Sequence, residues 1–123
     1  ERGTGRRAAA TGYVVGGKTG TAEKISARRY SKTKLLSSFV GAFPIQAPRY
    51  VVFAMLDEPS GNHRTRGYAT GGMVAAPIVS NIVSRMGPIL GIPPVDEDAR
   101  KLKRQMAIRV MTMRNGVRRI ASE

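Results

Sequence analysis

The sequence predicts an α+β fold: an antiparallel three-stranded sheet, a helix that closes it, and a basic helical tail. Three observations carry this. Stretches rich in β-branched and aromatic residues begin at Tyr13, Leu35 and Tyr50, the composition of strands. The second and third are separated only by residues 44–49, flanked by Pro44 and Pro48. That is too short for the crossover a parallel pair needs, so an antiparallel hairpin is expected. After Gly71-Gly72 the apolar period changes from strand-like to helical.

Residues 1–12, with Gly3, Gly5, Arg6, Arg7 and Gly12, read as a loop entering the first strand. That strand covers residues 13–25 and is interrupted by Gly16, Gly17 and Gly20. Residues 26–34 are polar and basic, which suits an exposed connection. In residues 35–43, Leu36, Ser38, Val40 and Ala42 alternate with Leu35, Ser37, Phe39, Gly41 and Phe43. The face carrying Phe39 and Phe43 is expected to be the more buried one. Residues 50–56 are apolar throughout, the pattern of a strand covered on both faces, and Asp57-Glu58-Pro59 ends it. A polar loop over 60–70 leads to a helix over 73–86, in which Val74, Ala75, Ile78, Val79, Ile82, Val83 and Met86 share a face. Pro77 fits if the helix begins near Ala75 or Ala76. Gly91 and Pro93-Pro94 close the ordered unit, which divides the chain into a domain over 1–92 and a basic tail over 93–123.

In the tail, Asp96 is a candidate helix cap, with Glu97 and Asp98 in the first turn. Leu102, Met106, Val110, Met113, Val117 and Ile120 recur at spacings of four and three, a narrow apolar stripe. Basic residues occupy the other faces, and Asn115-Gly116 is a candidate break. The tail reads as a docking or solvated segment, or as an amphipathic helix at an anionic membrane surface.

A chain of 123 residues holds one domain at most and a modest core. It opens at Glu1 without an initiator Met, so it is read as a piece of a longer protein. No run approaches the roughly eighteen apolar residues of a membrane helix. The absence of cysteine excludes disulfides, zinc thiolates and thiol catalysis within these residues, and a lone His63 excludes a histidine metal cluster. No cofactor or metal is expected. The net charge is +13, with 13 basic and 4 acidic side chains in residues 1–95 and 8 and 4 in residues 96–123. Such a surplus favours anionic partners. It forms no compact patch interleaved with aromatics, so nucleic acid is not the expected partner.

The chemistry is concentrated in Gly17-Lys18-Thr19-Gly20-Thr21. A strand offering a cation, two hydroxyls and unencumbered N–H groups suits an anionic, peptide-like ligand. Lys-Thr-Gly is also one of three motifs of penicillin-recognising serine enzymes, beside S-x-x-K and S-x-N. Two rival readings arise from the same letters. Residues 12–19 fit the phosphate-loop pattern G-x-x-x-x-G-K-[ST], with Asp57 as a candidate magnesium ligand. That pattern needs a buried strand before it and a helix after it, and neither is expected here. Ser31-Lys32-Thr33-Lys34 fits S-x-x-K and Ser60-Gly61-Asn62 fits S-x-N. A nucleophile needs its lysine one helical turn away. Ser31 falls in a connection between strands and Ser60 in a polar loop, so both read as chance matches.

Five stretches in order carry a resemblance: Gly-Thr-Gly-Arg-Arg-Ala at 3–8, Gly-Lys-Thr-Gly-Thr-Ala at 17–22, Ser-Phe-Val-Gly-Ala-Phe-Pro at 38–44, Asp-Glu-Pro at 57–59 and Gly-Gly-Met-Val-Ala-Ala-Pro at 71–77. In them, residues 1–92 resemble the C-terminal part of the transpeptidase domain of class B penicillin-binding proteins, of the division-specific penicillin-binding protein 3 type. The resemblance implies a penicillin-binding/serine β-lactamase-like fold, of which this chain holds the last three strands and the closing helix, with the nucleophile upstream. It implies a peptidoglycan D,D-transpeptidase that crosslinks stem peptides through a serine acyl-enzyme and binds β-lactams. Lys18 would supply charge to the cleft and orient the S-x-N serine. Thr19 and Thr21 would hold the substrate carboxylate, Gly20 would leave room for the substrate backbone, and the Thr21 N–H would be an oxyanion donor. Division or cell-wall synthesis proteins would be its partners. Its parent would be anchored in the inner membrane, with this domain in the periplasm. Many relatives place aromatic residues just before the Gly-Gly pair, whereas here Tyr68 is followed by Ala69 and Thr70. The alternatives are a binding module for an anionic membrane or division partner, and a nucleotide-binding protein.

Overall fold

Three antiparallel strands in the order β1-β2-β3 form the frame: β1 is Gly16–Ser26, β2 is Arg29–Phe43 and β3 is Tyr50–Asp57. The computed structural model describes residues 3–26, 29–96, 104, 110–114 and 117–121. Lys18 pairs with Val40 and Val40 with Phe53, while Thr19 pairs with Phe39 and Phe39 with Ala54. Residues directly opposite one another share a face. One row therefore holds Thr19, Phe39 and Ala54, and the next, on the other face, holds Lys18, Val40 and Phe53.

The first of these faces is the core. Phe39 and Phe43 are buried there, as their alternation predicts, against Val79 and Val83 of the closing helix. The helical segment divides into α1, Gly71–Val74, and α2, Ala76–Ile89, with the chain turning at Ala75. Pro77 stands in the first turn of α2, where a missing N–H costs no hydrogen bond. Buried Ala76, Val79, Val83 and Gly87 make one stripe down the helix.

Four expectations are corrected. The first strand starts at Gly16, not Tyr13. Tyr13 sits instead in an isolated bridge with Ala10, its ring buried beside Gly87 and its hydroxyl donating to the Ile92 carbonyl at 3.2 Å. A large ring anchored in the core contributes more there than at a strand end. Second, residues 29–34 are not a loose connection: β2 begins at Arg29, and Ser26 pairs with Arg29. The register shifts between Glu23 and Lys24, where the partner moves from Leu35 to Ser31. The bulge thus absorbs polar residues that do not alternate. Third, β3 is not covered on both faces. Val51, Phe53 and Met55 are 71 %, 59 % and 57 % exposed, because α2 packs on the opposite side.

The fourth correction concerns the tail. Residues 110–114 and 117–121 do not continue a helix. β4, Val110–Arg114, pairs antiparallel with β5, Val117–Ala121, and Arg114 faces Val117 across two intervening residues. Asn-Gly in that place is a strong signal for a two-residue hairpin, and Val110, Thr112, Val117 and Ile120 favour strands. The helical stripe was a coincidence of spacing there. Within 97–109 only Arg104 is described, and it is helical, so the remaining tail expectations, including Leu102 and Met106, lie outside the described residues. No helix among the described residues is long and apolar enough to cross a membrane.

Candidate functional site

Among the described residues β1 pairs with β2 alone, so its other edge is open. Strand alternation sends Thr19 and Thr21 to the helix side of that edge, and Lys18 and Gly20 to the opposite side. The polar, glycine-rich sequence of β1 suits an edge, where side chains meet solvent and backbone groups await a partner.

On the helix side lies an open cavity of about 500 Å³, lined by Thr4, Arg6, Arg7, Thr19, Thr21 and Thr70, with Gly3, Gly72 and Met73. Three segments far apart in sequence build it. The Thr4 and Thr19 hydroxyls lie 3.0 Å apart and share a hydrogen bond. The Thr21 Oγ1 accepts from the Gly71 N–H at 2.9 Å. A threonine hydroxyl that accepts one bond still has a proton to donate. Ser37, fully buried on β2, donates to the Ala69 carbonyl and so fixes the approach of the segment before α1. The Gly71-Gly72 pair permits the contact. A Cβ on Gly71 would stand 2.1 Å from the Ser38 carbonyl oxygen and 2.4 Å from that of Gly20, and one on Gly72 would stand 2.3 Å from that of Thr4.

Lys18 is placed differently from the threonines. It is exposed, does not line the cavity, and its Nζ donates to the Thr19 carbonyl at 2.8 Å, reaching along the strand. Its row continues into Val40 and Phe53, so its ammonium stands at the margin of the open apolar face. Gly20 shares that face, and a Cβ on it would lie 2.6 Å from the Ser38 Oγ. The edge thus presents hydroxyls to one side and a cation to the other, with the backbone between them. Among the described residues no acidic side chain lines the cavity, and two guanidinium-bearing residues do, an arrangement that suits an anion.

The rival motifs lose their context. Residues 16–19 lie in a strand followed by an antiparallel partner, so no phosphate loop between strand and helix exists there. Asp57 is engaged elsewhere: Lys24 Nζ contacts its carboxylate at 2.8 Å and that of Glu58 at 2.9 Å. These two hydrogen-bonded acids raise the Lys24 pKa above its ordinary value. Ser31 Oγ accepts from the N–H groups of Thr33 and Lys34, in a bulged strand and not at a helix start. Asn62 caps the turn His63–Thr65, its side chain accepting from the Thr65 N–H. Tyr68 is 62 % exposed and outside the cavity wall. Among the described residues no three His, Asp or Glu side chains gather to hold a metal.

Sequence reasoning assigned no role to Thr4, Arg6, Arg7 or Thr70. The stretches at 3–8 and 71–77 stood out only as matches, since nothing local in them announces contact with β1.

Residues 1–84 match the model of the penicillin-binding protein transpeptidase domain. The chain belongs to this family. It is 45 % identical over 98 residues to a probable peptidoglycan D,D-transpeptidase FtsI of Caulobacter vibrioides, covering 75 % of this chain and 17 % of that protein. It is also 45 % identical over 92 residues to the stage V sporulation protein D of Bacillus subtilis, covering 75 % of this chain and 14 % of that one. Among solved structures, the transpeptidase domain of Burkholderia pseudomallei penicillin-binding protein 3 superposes with a TM-score of 0.64 at 44 % identity, over 76 % of this chain and 27 % of the other. Penicillin-binding protein 3 of Mycobacterium tuberculosis, complexed with ampicillin, gives 0.66 at 31 % identity, over 82 % and 22 %. The chain therefore spans less than a fifth of the length of these two curated relatives.

Proposed function

We propose that this penicillin-binding transpeptidase chain forms the substrate-binding wall of a division-type peptidoglycan D,D-transpeptidase. The observation that carries the reading is the open edge of β1, with Thr19 and Thr21 facing a cationic cavity on one side and Lys18 on the other. An extended stem peptide adds to that edge as a further strand, its backbone aligned by main-chain hydrogen bonds. The Thr19 and Thr21 hydroxyls take the carboxylate that follows the scissile bond. Gly20 leaves the approach clear.

A serine elsewhere in the protein attacks the peptide carbonyl, the C–N bond breaks, and the leaving amine takes up a proton. An amine from a second peptide then displaces the serine and completes the crosslink. The Thr21 N–H is one donor to the tetrahedral oxyanion, a role whose loss costs about 2.7–4 kcal/mol of transition-state stabilisation in comparable sites. Lys18, on the face away from the cavity, keeps positive charge where the nucleophile's helper groups stand. β-Lactams enter as analogues of the same peptide. In this reading residues 1–92 belong to the catalytic domain, the parent is anchored in the inner membrane, and the domain works in the periplasm beside other cell-wall and division proteins. The tail over 93–123 is an accessory segment in contact with an anionic surface or partner.

The test is covalent labelling of the full-length protein by a fluorescent penicillin. Labelling is expected, with Lys18→Ala lowering its second-order rate about 10–100-fold while folding is kept. An unlabelled wild type, or an unchanged rate in Lys18→Ala, refutes the assignment.

A further inference from the structure

The cavity beside β1 contains a charge that the transpeptidase reading leaves unused. Thr19 and Thr21 supply neutral hydroxyls, and Lys18 faces away from them. A carboxylate desolvated against two threonines alone keeps its charge only partly compensated. Arg6 and Arg7 both line the same space. Their situations differ. Arg7 is tethered, its guanidinium donating to the Arg64 carbonyl at 3.4 Å. The Arg6 side chain is exposed and makes no hydrogen bond or ion pair to a described residue, while its backbone carbonyl accepts from the Ala9 N–H at 3.3 Å. The acids near the sheet end, Asp57 and Glu58, are occupied by Lys24 and do not line the cavity. Arg6 itself sits in the short turn Arg6–Ala8, whose Ala8 is buried, so the base of its side chain is fixed while its head is exposed.

We propose that Arg6 is the specificity residue that recognises the free carboxylate of the peptide or β-lactam held by Thr19 and Thr21; the proposal rests on the transpeptidase reading above. A guanidinium pairs with a carboxylate through two parallel N–H···O bonds, which a threonine hydroxyl cannot supply. The hydrogen bond between Thr4 and Thr19 ties the segment two residues before the Arg6 turn to the strand that carries the hydroxyls, so charge and hydroxyls are presented from one wall.

The experiment compares acylation of the full-length protein by benzylpenicillin and by its methyl ester, which lacks the charge. Wild type is expected to prefer the acid. Arg6→Gln is expected to lower the second-order rate for the acid about tenfold and to leave the ester within about twofold, so that the preference collapses. The ester rate reports the fold and the chemistry independently of the carboxylate. An unchanged acid-to-ester ratio in Arg6→Gln, or a wild type without preference, overturns the role of Arg6. Failure of both compounds to acylate the wild type would instead overturn the transpeptidase reading.

Discussion

Replacing Gly71 with alanine tests whether the contact between α1 and the sheet shapes the site. The new Cβ would stand 2.1 Å from the Ser38 carbonyl oxygen and 2.4 Å from that of Gly20, whereas ordinary contact begins near 3.4 Å. Both obstacles are backbone atoms of paired strands, so neither can swing aside as a side chain does. Relief requires α1 to withdraw by roughly 1 Å, an overpacking strain of about 1–3 kcal/mol. The same movement stretches the 2.9 Å bond from the Gly71 N–H to the Thr21 hydroxyl and shifts Gly72 and Met73 in the cavity wall. Misplacing a reacting wall by 1 Å lowers a rate about 100-fold. Gly71→Ala in the full-length protein is therefore expected to lower the midpoint of urea unfolding and to slow penicillin acylation by one to two orders of magnitude. Stopped-flow acylation and equilibrium unfolding measure the two effects. A variant with wild-type stability and wild-type rate refutes the claim that this approach positions β1.

Further predictions concern other parts of the chain. Hydrogen bonds to Asp57 and Glu58 raise the Lys24 pKa, so the bridge stabilises the fold below the ordinary lysine value of 10.5 and is lost as pH rises through the higher folded value. The stability difference between wild type and Lys24→Met, followed by urea unfolding, should narrow above that pH; a constant difference disproves the linkage. Incubation of the 123-residue chain with excess benzylpenicillin is expected to give no adduct at Ser31, whose oxygen is occupied by the Thr33 and Lys34 N–H groups, and intact-mass spectrometry finding one would restore the internal S-x-x-K as a nucleophile. Carbon chemical shifts of residues 110–114 and 117–121 are expected to be strand-like, and helical shifts there would reinstate the continuous tail helix.

Much of the frame was legible because local sequence and tertiary demand agree. Phe39 and Phe43 alternate with exposed positions and are buried. Pro77 starts a helix where a proline can, and the short link from β2 to β3 leaves only an antiparallel pair. The edge strand was legible too, since the glycine-rich Lys-Thr-Gly-Thr string after Tyr13-Val14-Val15 has the make-up of an exposed strand. The continuous apolar run of β3 misled: composition records hydrophobicity, while which face is covered depends on where α2 lies. The tail stripe misled because a spacing of four and three can arise in a hairpin, and Asn115-Gly116 carried the stronger local signal.

Sequence by itself determined the three sheet strands in outline, the closing helix and the family motifs. Tertiary structure alone decided that Thr4, Arg6 and Thr70 stand around Thr19 and Thr21, and which face of β1 the helix covers. The physical reason is range. Alternation along a strand is fixed by covalent geometry within a few residues, whereas the cavity forms only when α2 buries its apolar stripe on the sheet and carries the Gly71-Gly72 backbone against β1.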